Sequence, residues 1–224
     1  SDIDYAPLAT GYALVSLEQA LLFVQGAMLA PELESSLWRD GVDIRPYEEA
    51  AEALKRLPAG RQIAFDPRKI SCALAAAISS ASIKIEVDGL VDSLKAIKNR
   101  VEIERLKEVM VRDAVAMCRF LHWVDARAGR ECLTESSIAA RVLEFREEQA
   151  GMQGPSFPPI VAYGEHAALP HYAGALASET AVAGTGSLLV DSGGNYLGGT
   201  TDITRTLALG PPSMDMKRDY TLVL

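Results

Sequence analysis

The stretch from Leu188 to Leu209, LLVDSGGNYLGGTTDITRTLAL, constrains this chain more than any other. It opens on an apolar run, Leu188 to Val190, that ends in Asp191. A turn-rich segment follows, Ser192 to Gly199, with four glycines and one asparagine. Thr200 to Leu209 is then rich in β-branched residues and carries Asp202 near its start. This patterning predicts strand, flexible loop, strand. The two aspartates, eleven positions apart, fall at the loop end of two adjacent strands. A carboxylate at the end of a buried strand is costly unless something positive meets it. Two converging on one cleft repel each other unless a cation lies between them. Hard divalent ions take carboxylate oxygens, so a shared metal site resolves the conflict. A plainer account is open too. Asp-Ser-Gly-Gly starts turns well, because Asp caps them and Gly permits positive φ. The aspartate of a Thr-Thr-Asp triplet can also bond neighbouring backbone amides. On the residues alone, both readings stand.

Composition narrows the field. With 224 residues, 49% of them hydrophobic and 23% charged, the chain suits a soluble globular protein of one or two domains. A net charge of -8 and a pI near 5.0 argue against a nucleic-acid partner, whose electrostatic footprint is basic. Cys72, Cys118 and Cys132 lack metal-ligand spacing and lie in apolar or helical contexts, so buried free thiols are expected. Sparse, odd cysteine usage points to a reducing compartment, here the cytoplasm. No apolar run has membrane-spanning length, no signal pattern opens the chain, and no membrane partner is expected.

Taken in order, Tyr12 to Ser16 and Ala20 to Val24 read as a hairpin. Pro31 to Arg39 reads as a helix with Pro at its first position, Val42 to Ile44 as a strand, and Pro46 to Leu57 as a second helix. Ile63 to Phe65, Ile70 to Ile78 and Ile83 to Val87 then give strand, helix, strand. Alternation of this kind predicts a small α/β domain. The longest helical pattern follows, with Ile103, Leu106, Met110, Ala114, Met117, Leu121 and Val124 as its stripe. Thr134 reads as the cap of a further helix, with Glu135 favourably placed in its first turn. Ile138, Val142 and Phe145 form its buried face, and Glu144 to Glu148 carries charge toward solvent. Gly151 to Pro155 reads as a breaker, and Ile160 to Tyr163 as a strand.

DSGGNYLGGTTDITRT closely resembles the first metal-ligand segment of the aminopeptidase P-like metallopeptidases. These are grouped with methionine aminopeptidase, prolidase and creatinase in the pita-bread fold. The resemblance implies that Asp191 and Asp202 bind a pair of divalent metals, manganese in most of the family, with Asp202 bridging both. A second stretch, SFPPIVAYGEHAALPHY, is similar to the family's Gly-x-Asn-x-Ala-x-x-His-Tyr loop. By that resemblance His171 faces the metals and contacts the substrate beside the scissile bond. His166 stands where the family more often has asparagine. A structural role in the loop is expected for it, a metal-site role being the alternative. No Gly-x-Ser-x-Gly elbow and no phosphate-binding Gly-Lys-Ser/Thr loop occurs.

The family's further ligands, a histidine and two glutamates, have no counterpart after Asp202. The chain, which opens on Ser1, is therefore expected to be an interior fragment. The fold class expected is α/β (α+β). Residues 1–97 would be a creatinase-N-like domain lacking its start, and residues 98–224 the N-terminal half of a pita-bread catalytic domain. The implied activity of the parent is release of the N-terminal residue from peptides with proline second. The metals would polarise the scissile carbonyl, and a downstream glutamate would be the general base. The fragment alone is expected to be inactive and to bind one metal ion weakly or none. Unpaired sheet edges predict a homodimer. A prolidase-type dipeptidase and a non-catalytic pita-bread binding module are the alternatives.

Overall fold

Before Asn99 the apolar residues come in short runs punctuated by Pro and Gly, and each run becomes one element. The computed structural model describes residues 4–25, 29–174 and 177–224. Contacts divide them into two units, Leu8–Lys98 and Asn99–Leu224, the short segment 4–7 being counted with the second.

In the first unit β1 (Gly11–Val15) and β2 (Ala20–Val24) form an antiparallel hairpin, with Tyr12 opposite Phe23. Next comes α1 (Pro31–Arg39), with Pro at its start and Glu32 and Glu34 in the first turn. It leads to β3 (Val42–Pro46), which pairs parallel with β2, as a helical crossover permits. The expected second helix is shorter than its pattern. Pro46 is the last residue of β3, a 3-10 turn covers Tyr47–Glu49, and α2 spans only Ala50–Lys55. A second parallel pair, β4 (Gln62–Phe65) and β5 (Ile83–Glu86), flanks α3 (Cys72–Ala77), whose Leu74 amide is capped by Ser71. The unit ends in α4 (Leu90–Ala96). Phe23, Ala50 and Leu74 are its buried centre.

The second unit opens on α5 (Arg100–Arg127), fixed by a capping box between Asn99 and Glu102. Gly129, at φ 74°, lies just past its end. Then β6 (Leu133–Thr134) leads into α6 (Glu135–Glu147), where Thr134 and Ser137 cap each other reciprocally. The strands that follow are β7 (Met152–Pro155), β8 (Ile160–Tyr163), β9 (Ala181–Val182), β10 (Gly186–Ser192), β11 (Gly194–Tyr196), β12 (Gly199–Thr200) and β13 (Ile203–Leu209). Last is α7 (Met214–Val223). Three antiparallel sheets result, ordered β13-β10-β8, β12-β11-β7 and β6-β9. Phe120, Ile138, Val142 and Phe145 from the helices bury themselves against Val161, Leu188, Val190 and Leu209 from the main sheet. Each such side chain contributes about 1.5–3 kcal/mol relative to exposure.

Five sequence expectations fail here. The buried face of α5 runs through Val109, Asp113, Ala116, Met117, Phe120 and Val124, whereas Ile103, Leu106 and Met110 are exposed. Arg146, placed on the solvent side by its charged neighbours, is wholly buried, as is Asp113. A mutual ion pair carries both inward and so redraws the helix faces. Ser192 to Gly199 is not a free loop, and Gly151 to Pro155 is more than a breaker, because the two segments pair as β11 with β7. Cys72, Cys118 and Cys132 are free but exposed. Among the described residues no helix is long and apolar enough to cross a membrane.

Candidate active site

Along β10 side chains alternate in depth, as strand geometry requires. Leu188, Val190 and Ser192 are fully buried, while Leu189 and Asp191 are only half-buried. Asp191 lies directly opposite Thr204 of β13 and Ile160 of β8. Directly opposed residues of antiparallel strands share a face. Accordingly, the Thr204 hydroxyl donates to Asp191 Oδ1 at 2.8 Å. Two residues ahead of Thr204, Asp202 belongs to the same exposed set: Thr201 is buried, Asp202 exposed, Ile203 half-buried and Thr204 exposed. Asp191 therefore lies on the side of the sheet turned away from the core, and Asp202 is exposed immediately ahead of β13.

Their spacing is set by a knot of main chain. The Thr201 amide donates to the Gly194 carbonyl at 2.9 Å, and the Gly194 amide donates to Thr201 Oγ1 at 3.0 Å. Ser156 Oγ donates to the Thr201 carbonyl at 2.9 Å, and the Ser156 amide donates to the Gly193 carbonyl at 3.2 Å. Gly193 is required at this crossing, since a Cβ there would stand 2.0 Å from the Thr201 carbonyl oxygen. One turn further on, the Asn195 amide group donates to the Tyr5 carbonyl at 2.7 Å and to the Pro155 carbonyl at 3.1 Å.

Beneath the aspartates runs a buried ion pair. Arg146 donates to both Asp113 oxygens, at 2.7 and 3.2 Å, and to the Ser192 carbonyl at 3.2 Å. The Tyr196 hydroxyl donates to Asp113 at 2.8 Å. Burial, together with the bond to Asp113 and its charge, pushes the Tyr196 phenol far above its ordinary value, the guanidinium opposing only in part. It therefore stays protonated and donating. Sequence reasoning missed this network, because its members are spread from α5 to β11.

His171 lies in the loop after a 3-10 turn, Gly164–Ala168, and is exposed. Its loop is held from below by Glu135, the first residue of α6, which is fully buried. Four donors meet this carboxylate: the Tyr163 amide at 2.7 Å, His166 Nδ1 at 2.9 Å, the Tyr172 hydroxyl at 2.7 Å and the Ser178 hydroxyl at 2.6 Å. Burial pushes the Glu135 carboxyl up, but the bonds from Ser178, Tyr163, Tyr172 and His166 outweigh it and hold the group below its usual range. His166 also stacks on Tyr172, with ring centroids 4.6 Å apart. Its structural role in the loop is thus visible, its partner being a side chain 31 positions upstream. Glu135 was read from sequence only as a favourable first-turn acid, and no local signal reveals partners so far along the chain.

Among the described residues no group of three or more His, Cys, Asp or Glu side chains is poised to hold a metal, so His171 does not join Asp191 and Asp202 in such a group. No lysine or arginine among the described residues forms an ion pair with either aspartate. Two accessible oxygen-donor carboxylates at neighbouring strand ends, without a cationic partner, fit part of a hard divalent-ion site.

The profile of metallopeptidase family M24 matches residues 104–224, and that of the creatinase/prolidase N-terminal domain matches residues 1–102. The first match covers more than half of the chain, which belongs to metallopeptidase family M24. Its fold class is accordingly α/β, a creatinase-N-like region followed by part of a pita-bread domain. Among curated proteins, a "Probable Xaa-Pro aminopeptidase P" of Chaetomium globosum is 35% identical over 235 residues, covering 100% of this chain and 38% of its own length. The solved X-prolyl aminopeptidase of Caenorhabditis elegans, described as a cytosolic enzyme with a di-nuclear active site, superposes with a TM-score of 0.86 at 29% identity, over 99% of this chain and 37% of that one. An Xaa-Pro dipeptidase from Bacillus anthracis superposes with a TM-score of 0.73 at 28% identity, over 97% of this chain and 60% of that one. The chain thus spans between 32% and 38% of the length of the curated relatives it matches.

Proposed function

We propose that the whole protein is a metal-dependent aminopeptidase that releases the N-terminal residue from peptides with proline in second position. The observation that carries this reading is Asp191 on the open side of β10, with Asp202 exposed at the start of the neighbouring strand, inside the region matched by family M24. The name of the Chaetomium relative and the similarity to the Caenorhabditis enzyme support the Xaa-Pro preference. Asp191 and Asp202 would hold divalent metal, manganese in this proposal, as part of a two-metal site. A bound divalent ion supplies positive charge that polarises a carbonyl and acidifies water. The rest falls to the chain's own groups. Thr204 holds Asp191 in one rotamer through its hydroxyl. Arg146 and the Gly193 crossing fix the backbone immediately after it. His171 donates a hydrogen bond to the peptide substrate beside the bond that breaks, where developing negative charge rewards it.

A prolidase-type dipeptidase is the second reading, favoured by the similarity to the Bacillus enzyme. Manganese titration with a fluorogenic Xaa-Pro-containing peptide and with Xaa-Pro dipeptides separates the two. Cleavage of the longer peptide supports the aminopeptidase, and cleavage of dipeptides alone overturns it. Metal binding without either cleavage would favour a binding module. The protein is further proposed to act in the cytosol as a homodimer. Exposed Val101, Val111 and Val115 on α5 support self-association, and sedimentation velocity tests it.

A further inference from the structure

Four donors converging on one buried carboxylate is more than a helix start requires. A first-turn acid satisfies the helix dipole from solvent, yet Glu135 is fully buried and its two oxygens accept two bonds each. Every donor belongs to one segment, residues 163–178, and they span it. Tyr163 ends β8, His166 lies in the 3-10 turn, Tyr172 directly follows His171, and Ser178 precedes β9. These four donors surround a single carboxylate, and His171 is exposed.

Tyr172 is the link to His171. Its hydroxyl is bound by Glu135, its ring is stacked on His166, and its neighbour Gly174 leaves room for it, since a Cβ there would stand 2.7 Å from the Tyr172 hydroxyl. Holding Tyr172 at both its hydroxyl and its ring fixes the backbone from which the His171 imidazole projects. Only an ionised carboxylate accepts four bonds while donating none. Glutamine has the same shape but would set an amide N–H₂ against two donors.

We propose that Glu135 is a positioning residue for His171, acting through Tyr172 and His166 to hold the imidazole in the geometry that meets the substrate. This rests on the aminopeptidase reading above for the role of His171, while the anchoring of the loop stands apart from it.

The test uses the whole protein with Glu135→Gln, Tyr172→Phe, His171→Ala and the double variant Glu135→Gln/His171→Ala. Displacement of a reacting group by about 1 Å lowers turnover roughly a hundredfold. Glu135→Gln should lower kcat by about 10- to 100-fold while KM and manganese stoichiometry change little, and Tyr172→Phe should give a smaller loss of the same kind. In the His171→Ala background, Glu135→Gln should have almost no further effect. Equal losses in both backgrounds would mean a general structural role and would overturn the proposal. Amide hydrogen exchange is the second readout. Residues 164–174 should exchange faster in Tyr172→Phe and Glu135→Gln, with the helix Arg100–Arg127 unchanged. Unaltered exchange in the loop overturns the anchoring whatever the kinetics. If the wild-type protein cleaves no Xaa-Pro peptide, the functional reading fails by itself, and the exchange data still decide the role of Glu135 in holding the loop.

Discussion

The guanidinium of Arg146 donates to the carbonyl oxygen of Ser192 at 3.2 Å, one residue beyond Asp191. Arg146 belongs to α6 and Ser192 to β10, while Asp113 of α5 neutralises the charge and Tyr196 of β11 donates to Asp113. Two helices and two sheets therefore meet at one buried pair directly behind the candidate metal-facing carboxylate.

Removing one member of that pair should be worse than removing an exposed ion pair. Asp113→Ala leaves a guanidinium buried without its counter-charge and should destabilise the second unit by about 3–5 kcal/mol. Tyr196→Phe removes one bond to a charged group and should cost about 1.5–3 kcal/mol. Urea unfolding measures both. An Asp113→Ala loss within the range of surface pairs such as Arg100–Glu104, under about 1 kcal/mol, would contradict the buried network.

Two glycines separate steric from conformational demand. At Gly193 an added Cβ would meet the Thr201 carbonyl oxygen at 2.0 Å, and backbone cannot step aside. Gly193→Ala should therefore pull β10 from the Thr201 crossing and give little soluble protein. Gly164, at φ 58°, has open space around its missing Cβ, so Gly164→Ala should cost only about 1–2 kcal/mol of left-handed strain. Comparable solubility and melting temperature for the two variants would refute the distinction.

Much of this was legible in the chain. The hairpin, α1, the capped start of α6 and the placement of Asp191 and Asp202 at strand ends follow from local patterns of two, three or four residues. What failed depends on distant partners. Asp113 looks like a surface residue until Arg146 is seen to meet it, and Arg146 looks solvated among Glu144, Glu147 and Glu148. The segment Ser192 to Gly199 has the composition of a loop, yet its partner β7 supplies a ladder for it. Periodicity reports which residues share a face, but an ion pair formed across two helices can turn that face inward.

The acid limb of stability should carry the signature of Glu135. Its folded value is depressed, since the four donated bonds outweigh burial. A depressed carboxyl contributes stability that is full above its unfolded value and is lost as pH falls through the folded one. The advantage of wild type over Glu135→Gln should thus be constant above about pH 5 and shrink progressively below the ordinary glutamate value of about 4.3. Melting temperatures of both proteins between pH 3 and pH 7 test this, and parallel curves throughout would place the group's folded and unfolded values together.

The metal reading makes the most direct demand. Asp191 faces away from the core with Thr204 bonded to it, and Asp202 is exposed just ahead of β13. In the whole protein Asp202→Ala should abolish peptide cleavage and lower manganese stoichiometry, because the proposed bridging carboxylate is gone. His171→Ala should reduce turnover with the metal retained, since its proposed partner is the substrate and not the metal. Thr204→Val keeps the shape of the strand but frees the Asp191 side chain, and loss of such an outer partner should weaken metal affinity about 10- to 100-fold. This 224-residue chain alone brings Asp191 and Asp202 to the proposed site, too few carboxylates to fix two ions about 3.5–4 Å apart. It should bind at most one manganese weakly and cleave nothing. Isothermal titration with manganese, beside cleavage of a fluorogenic Xaa-Pro peptide, reads all four outcomes. Undiminished activity in Asp202→Ala would remove that residue from the site, and undiminished metal affinity in Thr204→Val would sever Asp191 from it.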